Sequence, residues 1–113
     1  MAPGKFIGML FQSRDAMHIA HLQTTSFAEH KALGGYYDGI LDLTDKFSEV
    51  YFGRNKRVEI VIPESKNLDA IVHLKDMQKM LDSERDNYSS ELQNIVDEML
   101  SLVNQTLYLL TLS

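Results

Sequence analysis

From Leu33 to Tyr51 the side chains of Leu33, Tyr36, Tyr37, Ile40, Leu43, Thr44, Phe47 and Tyr51 recur every three or four residues. That is the period of one helix face. The stripe keeps its phase across Gly34, Gly35 and Gly39, although each interior glycine costs about 1 kcal/mol against alanine. A break into two short helices is the alternative. The unbroken phase favours one helix over about residues 27–52, with the glycines admitting a second helix at close range. A helix that long and one-sided must be covered by other helices.

The same period returns three times. Phe6, Met9, Leu10, Ser13, Met17 and Ala20 predict a helix over 4–23. Thr24, Thr25 and Ser26 break it, and Ser26 with Glu29 three residues on reads as an N-cap. Leu68, Ile71, Leu74, Met77 and Leu81 predict a third helix over 67–84, started by Ser65 or Asn67. Leu92, Ile95, Val96, Met99, Leu102, Val103, Leu107 and Leu110 predict a fourth over 89–112, capped by Ser89 or Ser90. The polar run Asp82–Asn87 separates these two, a single long helix being the alternative. Gly53 is a natural helix stop. Val58 to Ile62 is β-branched and closed by Pro63, which suits an extended connection or a lone edge strand. No second strand-like run exists, so a strand partner would come from another chain. Met77, Met80 and Met99 read as core filler, and His73 as a lone surface histidine. The expected fold is all-α: a four-helix bundle in one domain, 1–113, with an extended link between the second and third helices.

The 113 residues carry a net charge of −5, which argues against broad DNA binding. There is no cysteine, so disulfides and thiolate metal sites are excluded. A cytoplasmic protein is expected. No stretch is long and apolar enough for a membrane span, and the N-terminus lacks the features of a signal peptide. No phosphate-binding loop, dinucleotide fingerprint or nucleophile–base motif is present.

His18, His30, Asp45 and Glu49 follow one another at spacings of twelve, fifteen and four residues. Two imidazoles and two carboxylates suit a borderline metal such as iron, zinc or manganese. At about 100° per residue, His30, Gly34, Asp38, Asp45 and Glu49 share one face of the second helix, turned from its apolar stripe. Asp45 lies about 22 Å along the axis from His30, so one chain cannot close all four ligands on one ion. Two antiparallel copies can, with His18 and His30 from one and Asp45 and Glu49 from the other. His21 and Asp38 are candidate supporting residues. The bland alternatives are helix-surface histidines and a solvated acidic stripe.

The run H-IAHLQTTSFAE-H-KALGGYYDGILDLT-D-KFS-E, residues 18–49, resembles the Dps branch of the ferritin-like proteins. The chain is also similar in length and texture, including FIGMLF and GGYYDGI, to small proteins encoded by tailed phages. The Dps resemblance implies iron bound by these four residues across a two-fold interface, and a ferroxidase activity. It also implies a homodimer or larger homo-oligomer, in the host cytoplasm if phage-encoded. The sequence departs from the family at Gly34, where some members carry a further Asp ligand, and at Ile19, where they carry Trp. It also departs in VEIVIP, which replaces a short helix, and in having no Lys-rich tail. The rival reading is a non-enzymatic interaction protein that binds a host factor or a small ligand on the same scaffold.

Overall fold

Ser26 opens the longest helix: its Oγ accepts the Glu29 N–H at 3.2 Å. That helix, α2 (Phe27–Arg54), runs unbroken through all its glycines. It is preceded by α1 (Pro3–Gln23) and followed by α3 (Ala70–Glu84), a 3-10 turn (Arg85–Asn87) and α4 (Ser90–Leu110). The computed structural model describes residues 1–64 and 69–112, and these are all-helical apart from links. Ser65, Asn67 and Leu68, expected at the start of the third helix, lie outside the described residues; the described helix starts at Ala70 with Asp69 as its cap. The stop of α2 is Asn55 rather than Gly53. Asn55 closes the helix with its own N–H and side-chain amide, which bond Tyr51 O at 2.9 and 3.1 Å. The last two helices are separate, and Arg85 in the turn between them grips Asp97 of α4 with two hydrogen bonds of 2.6 and 3.0 Å.

The four helices pack round one core. Phe6, Leu10, Met17, Leu33, Tyr36, Ile40, Phe47, Leu74, Leu81, Val96 and Met99 are buried in it, as are Met77 and Met80. The two-fold alternation of direction stops at the long link. Asp69 and Ala70, at the start of α3, meet Glu29 and Leu110 at one end of the bundle. Arg54 pairs with Glu91 at the other end. Hence α2 and α3 run parallel, and the link must climb the whole bundle. No described helix is long and apolar enough to cross a membrane.

The link climbs on α1. Gly4 and Gly8 lie on the side of α1 away from Phe6, Leu10 and Met17. A methyl group at Gly4 would overlap Glu59 O, and one at Gly8 would overlap Val61 O. Val61 N–H donates to Gly4 O at 3.2 Å, and Gln12 Nε2 to Glu64 O at 2.8 Å. The match is one of repeats: two residues of extended chain span about 6.7 Å, close to the about 6 Å of four helical residues. The expected extended connection is therefore a strap, held where α1 has no side chains.

One feature of the core was not expected. Ser13 Oγ lies 2.6 Å from Tyr36 Oη and 2.7 Å from His73 Nε2, joining α1, α2 and α3. His73 is thus no lone surface residue. Burial holds its pKa below the ordinary value, against a smaller opposite pull from Asp76. Burial likewise pushes the Tyr36 phenol upward, so it stays protonated. Ser13 is 0% exposed, so this Ser–His contact is beyond reach of a substrate and serves packing.

Three outcomes follow, each read by urea unfolding. Gly8→Ala should lose about 1–3 kcal/mol, because the backbone clash outweighs the gain in helix propensity. Gly35→Ala, where a methyl meets nothing within 4 Å, should gain up to about 1 kcal/mol in the isolated chain. Ser13→Ala should cost about 1–3 kcal/mol by orphaning Tyr36 Oη and His73 Nε2. The His73 imidazole also gives stability a pH dependence. Its folded pKa lies below the unfolded 6.5, so between the two values the unfolded chain binds more protons. Stability is then full above about 6.5 and falls as pH drops through the lowered value. His73→Gln should flatten that fall.

Candidate functional site

The turn between α1 and α2 gathers three histidines. His21 Nδ1 and His30 O are 2.5 Å apart, and His30 Nδ1 and His21 O are 2.8 Å apart. A carbonyl can only accept, so each Nδ1 carries the proton and donates. The exchange has a structural use. His21 O belongs to the last turn of α1, where carbonyls have no partner within the helix, and the His30 ring supplies one. It also has a chemical consequence. In the neutral ring each Nε2 is left with a free lone pair, the tautomer that a metal ligand needs, with Nδ1–H oriented by a backbone carbonyl.

Gly34 favours this packing. The two rings stack at 3.7 Å between centroids, and a methyl at Gly34 would stand 3.1 Å from His21 Cε1. A side chain there would push the His21 ring outward by a few tenths of an ångström, so glycine gives the closest fit of the ring against α2. A methyl at Gly39 would stand 2.9 Å from the Leu102 Cδ2 of α4, a flexible side-chain end that would have to shift. Gly35 has no such neighbour.

His18 lies one turn before His21, their ring centroids 6.0 Å apart. Its ring stacks on Tyr37 at 4.0 Å, nearly parallel, and Tyr37 and His21 stand between it and His30. Tyr37, expected in the core stripe, is half-buried and faces these histidines, with the Arg14 guanidinium 5.5 Å from its ring. An open depression of about 430 Å³ is lined by His21, His30, Lys31, Gly34, Tyr37 and Asp38, among others.

Asp38, Asp42, Asp45 and Glu49 are exposed along α2 and make no ion pair or side-chain hydrogen bond among the described residues. Since α2 is continuous, Asp45 stays about 22 Å along the axis from His30. Among the described residues of one chain, no three His, Asp or Glu side chains converge as a metal would require. The structure therefore joins His21 to His30, sets His18 on Tyr37, and leaves Asp45 and Glu49 at the other end of the same helix. The His21–Gly34 pairing was the part that sequence reasoning missed. Its signal was a histidine near the end of one helix and a glycine two turns into the next.

The exposed face also has an apolar rim. Leu22 is 67% exposed and Phe27 75%, both at the α1–α2 turn beside the histidines.

Comparison with known proteins finds a similar protein in a phage. The chain is 30% identical over 112 residues to an uncharacterized 14.6 kDa protein from the mobD-ri intergenic region of Enterobacteria phage T4, covering 96% of this chain and 87% of that one. No solved structure matches it significantly. Residues 21–110 match DUF5856, a family of unknown function, and the chain belongs to that family.

Proposed function

We propose that the chain is a metal-binding protein of ferritin-like, Dps-like build, whose sites form between two copies and take iron as the metal and substrate. The observation that carries this reading is the continuity of α2. It holds a histidine end (His30, with His18 and His21 beside it) and an acidic end (Asp45 and Glu49) on one exposed face of one rigid rod. An antiparallel second copy brings the histidine end of each level with the acidic end of the other. Three features support it. Among the described residues no hydrogen bond takes the Nε2 lone pair of His21 or His30, while their Nδ1 protons are held. Gly35 weakens α2 at an exposed position where nothing in its own chain needs the space, close to where two copies would cross. The long link between parallel helices is the arrangement of ferritin-like bundles.

In this arrangement His30 of one copy, with Asp45 and Glu49 of the other, holds Fe(II), and His21 fixes the His30 ring; His18 joins them as a ligand by turning its ring off Tyr37. Asp38 adds negative charge at the rim. The activity that accompanies the site is oxidation of Fe(II) to Fe(III) by an oxidant from solvent. The carboxylates supply the added charge that favours the product ion.

The exposed Leu22 and Phe27 favour a second reading, in which the same end of the bundle docks a host protein and carries no metal.

A mixing experiment separates the two. His30→Asn keeps a donor near the Nδ1 position and removes Nε2, so the variant should fold while losing metal. Asp45→Asn should lose it too. Mixed and refolded together, the two variants should regain about a quarter of wild-type iron binding, because half the dimers are mixed and each carries one intact site. Metal content and the rate of Fe(II) loss under air report the result. Wild-type protein that neither binds iron nor speeds its oxidation overturns the metal reading.

A further inference from the structure

The strap has an outer edge. Glu59 O and Val61 O face Gly4 and Gly8, and Val61 N–H bonds Gly4 O. In an extended chain the backbone groups of successive residues point to opposite edges. Those of Val58, Ile60 and Ile62 therefore point away from α1, and none of them has a backbone partner among the described residues. Their side chains are exposed as well, Ile60 by 38% and Ile62 by 56%. Pro63 falls in the inner set, where its missing N–H takes nothing from the outer edge. A bare, β-branched edge of this kind is a template for another strand.

The charges at its ends select the partner. Lys56 precedes the apolar residues and Glu64 follows them, each four residues from Ile60 and both exposed. Two copies laid antiparallel about Ile60 set Lys56 of each opposite Glu64 of the other. Val58 then faces Ile62, and Ile60 faces its own counterpart. A parallel pairing would put Lys56 beside Lys56 and Glu64 beside Glu64. We infer that residues 58–62 are a self-pairing edge, through which two copies of this chain join as a two-stranded antiparallel ribbon flanked by their α1 helices; the outward alternation ends before Glu64, whose carbonyl turns back to accept from Gln12 Nε2 of α1. This contact requires neither metal nor the exposed face of α2.

The full chain, in a metal chelator to silence any iron-dependent association, is examined by light scattering across a concentration series, where a dimer is expected. The chain has no cysteine, so Ile60→Cys carries one thiol. Hydrogen-bonded antiparallel neighbours have Cα atoms about 5.5 Å apart, within disulfide reach. Mild oxidation should link Ile60→Cys at least about tenfold faster than the exposed control Ile71→Cys on α3. Lys56→Glu and Glu64→Lys should each weaken the dimer by about tenfold, and the double exchange should restore it, since two pairs of end charges are at stake. A wild-type monomer at every concentration overturns the inference. So does a dimer in which Ile60→Cys links no faster than the control, because the copies then meet elsewhere. Iron binding that persists alongside either result leaves the α2 site standing and removes only the ribbon.

Discussion

An extended chain can lie along a helix only where the helix offers no side chains, and Gly4 and Gly8 provide that bare track. Much of the architecture depends on it. The link from α2 must travel back up the bundle before α3 can start, and α1 carries it. With α3 thus set parallel to α2, His73 arrives opposite Ser13 and Tyr36 and closes a buried polar network that ties α1, α2 and α3 together. Glycine in a helix weakens it. Here that weakness is offset by the contact it allows, which a single methyl group would abolish.

The helices were legible in the sequence because burial and periodicity agree. Leu33, Tyr36, Ile40, Thr44 and Phe47 are buried as the stripe requires, and Ser26 caps α2. What was not legible depended on contacts between elements far apart in sequence. Tyr37 fits the stripe by spacing, yet it stacks on His18 because α1 crosses α2 there. His73 looked solitary because its partner lies 60 residues away. Gly4 and Gly8 gave a faint signal, a four-residue spacing on the side of α1 opposite its apolar residues, which has meaning only once a chain is found lying on it.

The candidate site shows the same division. The grouping of His30, Asp45 and Glu49 on one helical face follows from α2 alone. The exchange of hydrogen bonds between His21 and His30 does not, because it depends on the turn geometry and on the close fit at Gly34. That exchange explains why two histidines stand here even without any ligand: the His30 ring completes the last turn of α1, and the His21 ring ties α1 to the start of α2. A structural role and a ligand role coexist because imidazole has two nitrogens and the fold uses one.

The placement of the strap bears on how the chain reaches this state. It rests on the outer flank of α1 and adds nothing to the hydrophobic interior, so the interior can assemble before it is seated. α1 with α2, and α3 with α4, are neighbours in sequence and close over short turns, which makes them the natural early units of folding. The long-range step is the docking of one hairpin on the other. The strap on its glycine track spans the two hairpins and fits only when they have met in this orientation.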